Sequence, residues 1–429
     1  MKTPQDIKQS SNNLMATCSA CGMLCDDISI SRTDNNVLKV KTNDCAKSVT
    51  FFEQVFKDAQ PTINGKVVDL TSSIQKAAEI LNAANQPLIA GLGTEVQGMR
   101  AIMQLADKAG ATLDHMHSNA TMRNTLVLQN SGWQTTTLTE VKNRVDLLLV
   151  IGTDIFSQLP QFFKRIIWNE TTLFEQDTTT REVIYLGGTH LDTTHGISPN
   201  GIKPTVLPCN IAQLPEMLAT LNALIKGKRL IATQVAGITI DQLQTLADRL
   251  KAAKYSVITW STSAFNFPHA ELLIQNITEC ISTLNQTTRA AGLPINSGDG
   301  DSSVSNVATW ISGYPVRSSY KRGYPEYNPT EFATKELLTT GEADALVWIS
   351  TFKPTLPPSI NKPLIVIGHP NMVFTQDPDV FIPVRVPGIQ QKGLMFRMDS
   401  SVTLPLKQLI DSNLPSLSDV ISQIETHVN

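Results

Sequence analysis

The sequence predicts an α/β protein built on more than one sheet. Two observations carry this reading. Short, continuous apolar runs recur at Asp146–Ile151, Glu182–Leu186, Tyr255–Thr259, Ala345–Ile349 and Pro363–Ile367, and such runs mark strands buried on both faces, as in parallel sheets covered by helices. Segments with helical spacing alternate with them: Ser72–Asn82, then Gln97–Gly110 with Ala101, Ile102, Leu105 and Ala106 turned inward,. The 429 residues suffice for two to three compact units at roughly 150 residues each.

In chain order, residues 16–57 read as a small cysteine-bearing cap. It has alternating strands near Asp26–Ser31 and Val37–Val40, and a helix beginning within Ser48–Lys57. Pro87–Ala90 is a short buried strand ending in Gly91-Leu-Gly93. Asp177–Thr180, Asp192–Pro199 and the glycine-rich Ser297–Ser302 read as loops,. Tyr314–Pro329, rich in tyrosine and proline, reads as an ordered irregular loop. No internal repeat or low-complexity tract is evident.

Composition excludes several function classes. With 35 Lys+Arg against 38 Asp+Glu the net charge is −3, and no basic stripe stands out, so a nucleic-acid partner is not expected. The opening MKTPQDIKQSSNNLMA has no apolar stretch of signal-peptide type,. No run approaches the ~18 apolar residues of a membrane span. The expectation is a soluble, cytoplasmic protein.

Of six cysteines, Cys18, Cys21 and Cys25 fall in C-x2-C-x3-C spacing and Cys45 follows twenty positions later. Disulfides are not expected without export. A short looped run that wraps three corners, closed by one distant thiolate, suits a 4Fe–4S cluster, and Gly22 allows a tight turn. Zinc and a metal-free remnant remain as alternatives. Gly91-Leu-Gly93-Thr-Glu-Val-Gln-Gly98 superficially resembles a dinucleotide turn, but its third glycine is two positions late and no acidic residue of evident role lies about 20 residues on,. Ile151-Gly152-Thr-Asp154 ends a strand in the same manner, where ligands of open sheets bind. His115 and His117 alternate on one face of an extended segment, with Asp114 on the other, and read as core or surface histidines rather than metal ligands,. His190 and His195 are similarly ambiguous, and Arg397 reads first as an ion-pair partner, second as an anion ligand. A G-x-S-x-G elbow, H-E-x-x-H and a Walker-type phosphate loop are all missing,.

Several strings then point to a family. Cys18-Ser-Ala-Cys21-Gly-Met-Leu-Cys25-Asp-Asp-Ile28 and Asn43-Asp-Cys45-Ala-Lys47 resemble the opening of the B subunit of formylmethanofuran dehydrogenase, within the molybdopterin oxidoreductases. Glu140–Asp146 with the following strand and Gly152, Trp310–Pro315, Arg322-Gly-Tyr-Pro-Glu-Tyr-Asn-Pro329, Ile382–Ile389 and Gly393–Asp399 are similar to its later segments. The resemblance spans residues 18–399 and implies a molybdopterin-oxidoreductase-like α/β fold with mostly parallel sheets. The expected division is a Cys-rich cap over 1–57, a discontinuous α/β domain over 58–113 and 340–429, and a second α/β domain over 114–339. It also implies Cys18, Cys21, Cys25 and Cys45 as cluster ligands, and Lys47, Gly152, Asp154, Gly393 and Arg397 as a vestigial pterin pocket.

One departure matters more. In the redox-active family a cysteine or selenocysteine holds molybdenum or tungsten, but the corresponding interval here, Ala111–Gly132, contains no cysteine. Ser118 or Thr121 would be a poor substitute for a soft ligand. The chain therefore resembles more nearly the B subunit of the bacterial formyltransferase/hydrolase complex. That assembly passes a formyl group to a methanofuran-type carrier and hydrolyses it to formate; its A subunit is the hydrolase, its D subunit the transferase, and the B and C subunits are mainly scaffold. The resemblance implies a redox-inactive scaffold without molybdopterin, in tetrahydromethanopterin-linked one-carbon metabolism, partnered by the A, C and D subunits and the formyl carrier. The alternatives are a redox-active molybdopterin enzyme holding molybdenum or tungsten, and a stand-alone binding protein.

Overall fold

A computed structural model describes residues 13–33, 36–42, 45–295 and 298–429. The opening residues 1–12, Asn43 and Asp44 of the Cys45 motif, and Ser297 lie outside them. The chain divides into two compact units, one formed by the residues up to Ser118 with Gly298–Asn429, the other by Asn119–Ser297.

The first unit carries a nine-stranded sheet. Its order is Glu326–Tyr327, Ser318–Ser319, Thr112–Leu113, Pro87–Gly93, Ala345–Ser350, Leu364–Gly368, Val380–Pro383, Thr62–Ile63 and Lys66–Val67. The five strands from Thr112–Leu113 to Val380–Pro383 are mutually parallel. Every residue of Pro87–Gly93 and of Ala345–Ser350 is buried, which is why these strands read as unbroken apolar runs. Helix Leu70–Ala83 starts on Asp69, whose side chain accepts from the Ser72 amide, and helix Val96–Ala109 ends on Gly110 in the left-handed region,.

The cysteine-bearing segment contributes a three-stranded antiparallel sheet, Asn13–Ala16, Ile28–Arg32 and Leu38–Val40, and helix Ala46–Phe52. It is not a separate domain. Ile28, Ile30, Phe51 and Phe52 share one core with Val386, Ile389 and Leu406, because so short a segment cannot bury a core of its own. Residues 298–339 likewise belong to the first unit, not to a second domain over 114–339. Their strand Ser318–Ser319 pairs with Thr112–Leu113, and helix Asp301–Ser312 packs against Val96–Ala109.

The second unit is a parallel five-stranded sheet in the order Thr205–Leu207, Glu182–Leu186, Leu147–Ile151, Ser256–Ser261 and Ala290–Ile295. Helices Leu214–Ile225, Ile240–Ala252 and Ala270–Leu284 bury Leu218, Leu221, Leu246, Leu250, Ile274 and Ile277 in its core. A reciprocal Thr239–Gln242 capping box starts the middle one,.

Two loop expectations need correction. Asp301 and Ser302 are not loop but the first turn of a helix. Tyr314–Pro329 is not wholly irregular, since Ser318–Ser319 and Glu326–Tyr327 form a short antiparallel pair.

Candidate functional site

In the first unit, strand Thr112–Leu113 lies on one side of Pro87–Gly93 and Ala345–Ser350 on the other. Strand order therefore reverses there, and the crevice at the carboxyl ends of those strands is where an open parallel sheet places its ligands. Each strand delivers a polar segment to that edge: Thr94–Glu95, Asp114–His117 and Thr351–Lys353.

The Asp114–His117 segment is a turn, not an extended run, so the two histidines do not simply share a face. The His117 amide donates to His115 Nδ1 at 3.1 Å, which leaves His115 Nε2–H to face the Asp299 carbonyl at 3.4 Å. His115 is buried, and burial, with His117 beside it, lowers it to about 4, so it is neutral,. His117 Nε2 lies 2.9 Å from Asp299 Oδ2 and Lys353 Nζ 2.8 Å from Asp299 Oδ1. Their side chains are 32% and 46% exposed, against 8% for Asp299. Asp299 sits at φ +53° between Gly298 and Gly300, both also at positive φ. A non-glycine residue held in this region is strained, and here the backbone aims a carboxylate at the His117 ring and the Lys353 ammonium.

Burial opposes ionisation of Asp299, but the hydrogen bond from His117 and the charge of Lys353 outweigh it and hold the carboxyl at about 2. Its folded pKa is below the unfolded value of 3.8, so the stabilisation is present above that value and lost as pH falls through about 2. Asp299→Asn, which tolerates the same backbone region, is expected to cost about 1–2 kcal/mol near neutrality, allowing for the solvent around Lys353. In urea titrations across pH, the gap between wild type and variant should close between about pH 4 and pH 2. A gap that persists at the lowest pH would remove the ion pair from the account.

On the far side of the turn Asp114 is buried. Its Oδ2 accepts from the Thr334 amide and hydroxyl at 2.7 and 2.8 Å, and its Oδ1 lies 3.5 Å from Arg317 Nε. Arg317 also donates to the Pro329 carbonyl and to Ser118 Oγ.

The four amino-terminal cysteines share one neighbourhood. Burial raises Cys18 far above the ordinary thiol range, and Cys21, Cys25 and Cys45 add to the rise. Burial also raises Cys21, while Lys47 and Lys353 pull it down. The buried hydroxyls of Ser19 and Ser48, in the same segments, find no hydrogen-bond partner among the described residues. Among those residues no three His, Cys, Asp or Glu side chains converge on a single metal ion. A cluster spreads its thiolates over several irons and does not require that convergence. Cys209 and Cys280 pack in the second unit's core, where burial pushes them up to about 11 and about 12.

The residues expected around a pterin fall in both units, Lys47, Gly393 and Arg397 in the first and Gly152 and Asp154 in the second. Arg397 forms an ion pair with Asp399 at 2.7 Å and bonds Ser401, so its guanidinium is engaged within its own loop. Gly393 lies against Glu95, where an added Cβ would come within 3.0 Å of Glu95 Cγ. In the second unit, Gly152 takes φ +63° beside Phe265, and Asp154 Oδ1 accepts from the Ser157 amide and hydroxyl, closing a turn. The charge of Lys47 acts on the Cys21 thiol. Asp299 and Lys353 carry most of the geometry and are not legible as site residues in the sequence. Elsewhere in the second unit, His195 stacks on Phe156 at 3.4 Å and His190 is exposed.

No protein-family model matches the chain. Curated proteins do, over most of its length. The B subunit of the tungsten-containing formylmethanofuran dehydrogenase 2 of Methanocaldococcus jannaschii is 26% identical over 410 residues, covering 92% of this chain and 93% of its own. That of Methanococcus maripaludis is 25% identical over 418 residues, covering 94% and 95%. The B subunit of the formyltransferase/hydrolase complex Fhc of Methylorubrum extorquens is 25% identical over 338 residues, covering 78% and 87%. The chain is similar to these B subunits over most of its length. The crystal structure of the FhcABCD complex of Methylorubrum extorquens with methylofuran contains a chain of the same fold, at a TM-score of 0.72 and 24% identity, covering 85% of this chain and 98% of that one. The similarity to the B subunits thus spans both units described above. No helix among the described residues is long and apolar enough to cross a membrane.

Proposed function

We propose that the chain is the B subunit of a cytoplasmic formyltransferase/hydrolase-type complex, a redox-inactive scaffold in methanopterin-linked one-carbon metabolism. Its partners in this reading are the A, C and D subunits and a methanofuran-type formyl carrier. The observation that carries the reading is the turn after Thr112–Leu113. It supplies His115 and His117 and no thiol, and His117 is tied to Asp299 and, through it, to Lys353. A molybdenum or tungsten pterin does not fit this crevice. No soft sulfur donor of the cysteine type stands in the interval 111–132,, and of the residues expected around the pterin Arg397 is held in an ion pair and Asp154 in a turn.

Four thiols in one neighbourhood, with two buried hydroxyls wanting acceptors, fit a 4Fe–4S cluster held by Cys18, Cys21, Cys25 and Cys45. When bound, it would cross-link the amino-terminal segment, and with no redox partner in the crevice its role is structural, as for metal-stapled small folds. Elemental analysis of the chain purified anaerobically with its native partners tests both statements. The expected result is about four irons per chain and neither molybdenum nor tungsten. Stoichiometric molybdenum or tungsten would establish the redox-active alternative instead, and absence of all metals would make the cysteines a relic.

A further inference from the structure

Glu95 begins helix Val96–Ala109 and is almost wholly buried, at 2% exposure. Its Oε1 accepts from the Gly98 amide at 2.8 Å and its Oε2 from the Gln97 amide at 2.9 Å and the Leu394 amide at 3.3 Å. Three backbone N–H groups, two from the first turn of a fourteen-residue helix and one from strand Gly393–Phe396, thus converge on one carboxylate. The walls are glycine. A Cβ on Gly98 would fall 2.1 Å from Thr94 Oγ1, one on Gly393 within 3.2 Å of Glu95 Oε2, and one on Gly300 2.2 Å from the Thr94 carbonyl. Thr94 Oγ1, fully buried over that first helical turn, has no hydrogen-bond partner among the described residues. Glutamate is an unusual residue at this position, where Ser, Thr, Asp and Asn prevail. Amides converging at a helix start behind glycine walls are the construction that holds phosphate or carboxylate ligands in other α/β sheets.

We propose that this is an anion cradle at the strand-order reversal, and that its resident ligand is the chain's own Glu95 carboxylate, which keeps phosphate-bearing cofactors out of the crevice. The occupant is part of the polypeptide, so the cradle is filled in every copy. This deepens the redox-inactive reading, on which only its functional meaning rests. Metal content tests that reading, and anion response tests the cradle.

Thermal unfolding of the full chain, in chloride and with added formate, acetate or inorganic phosphate, provides the test. Wild type is expected to show no stabilisation by these anions beyond that of chloride at equal ionic strength. Glu95→Ala empties the cradle; its Tm should fall by several degrees and recover in part, saturably, with one of the small anions. Glu95→Gln keeps the cradle filled by an amide oxygen, and should fold with a lowered Tm and no anion response. A folded Glu95→Ala without any anion response would overturn the proposal, as would a wild type that responds as the variant does. If Glu95→Ala does not fold in any of these anions, a Glu95→Gln as stable as wild type would overturn it, because the carboxylate would then contribute nothing that a neutral side chain lacks.

Discussion

Asp114→Ala is expected to destabilise the first unit by about 3–5 kcal/mol, because it strands a buried cation. The side chain of Arg317 is only 7% exposed and that of Asp114 only 2%. Removing the carboxylate leaves the guanidinium facing Ser118 and the Pro329 carbonyl without the counter-charge of Asp114. It also deprives the Thr334 amide and hydroxyl and the His115 amide of their acceptor. The loss reaches the crevice, since Asp114 Oδ1 fixes the His115 amide and the His115 ring in turn receives the His117 amide. Asp114→Asn, which keeps one acceptor oxygen for Thr334, should lose clearly less. Urea unfolding followed by tryptophan fluorescence reads both, since Trp310 and Trp348 lie in this unit. Equal losses for the two variants would show that the lost counter-charge carries the whole effect and that the acceptor oxygen for Thr334 contributes nothing.

The same residues show why some of the molecule can be read from its sequence and some cannot. Glu182–Leu186 and Leu147–Ile151 are bounded nearly to the residue by their apolar runs, because burial on both faces leaves no polar position inside the strand. The cysteine spacing is likewise legible, because C-x2-C-x3-C is a local pattern carried by a short segment. Asp299 and His117 are different. They meet across 182 residues, and nothing local in Gly298-Asp-Gly300 distinguishes a strained, ion-paired aspartate from an ordinary turn. Glu95 does leave a local signal, an acidic residue directly after Gly93-Thr94 at the start of a helical pattern. Its meaning lies in the Leu394 amide and Gly393, which are brought to it from 299 residues away. The domain boundary near residue 339 fails for a similar reason. The strand Ser318–Ser319 that ties residues 298–339 to the first sheet is two residues long, too short to carry any periodicity.

In the second unit the largest expected effect comes from Arg181→Met, at about 3–5 kcal/mol. This guanidinium is buried and held chiefly by neutral oxygens. Its Nη1 donates to the carbonyls of Ile166 and Ile167 at 3.0 and 2.7 Å and to Asn169 Oδ1 at 3.2 Å. Its Nη2 donates to the Lys142 carbonyl at 2.8 Å and to Gln176 Oε1 at 2.7 Å. Ile166 and Ile167 close the π-helical turn Phe163–Ile167, whose last carbonyls lack partners within the helix, so the arginine serves as its cap. Burial lowers Arg181 to about 10, with Asp146 acting the other way, so it is charged throughout the neutral range. Methionine would fill the volume and leave those oxygens buried without donors, which costs more than the lost charge would suggest. Arg181→Lys retains the charge but not the planar fork, and should recover less than half of the loss. Unfolding monitored at Trp168, whose Nε1 donates to the His195 carbonyl, follows this region directly. A methionine variant within about 1 kcal/mol of wild type would mean that the carbonyls find water or new partners when the guanidinium is gone.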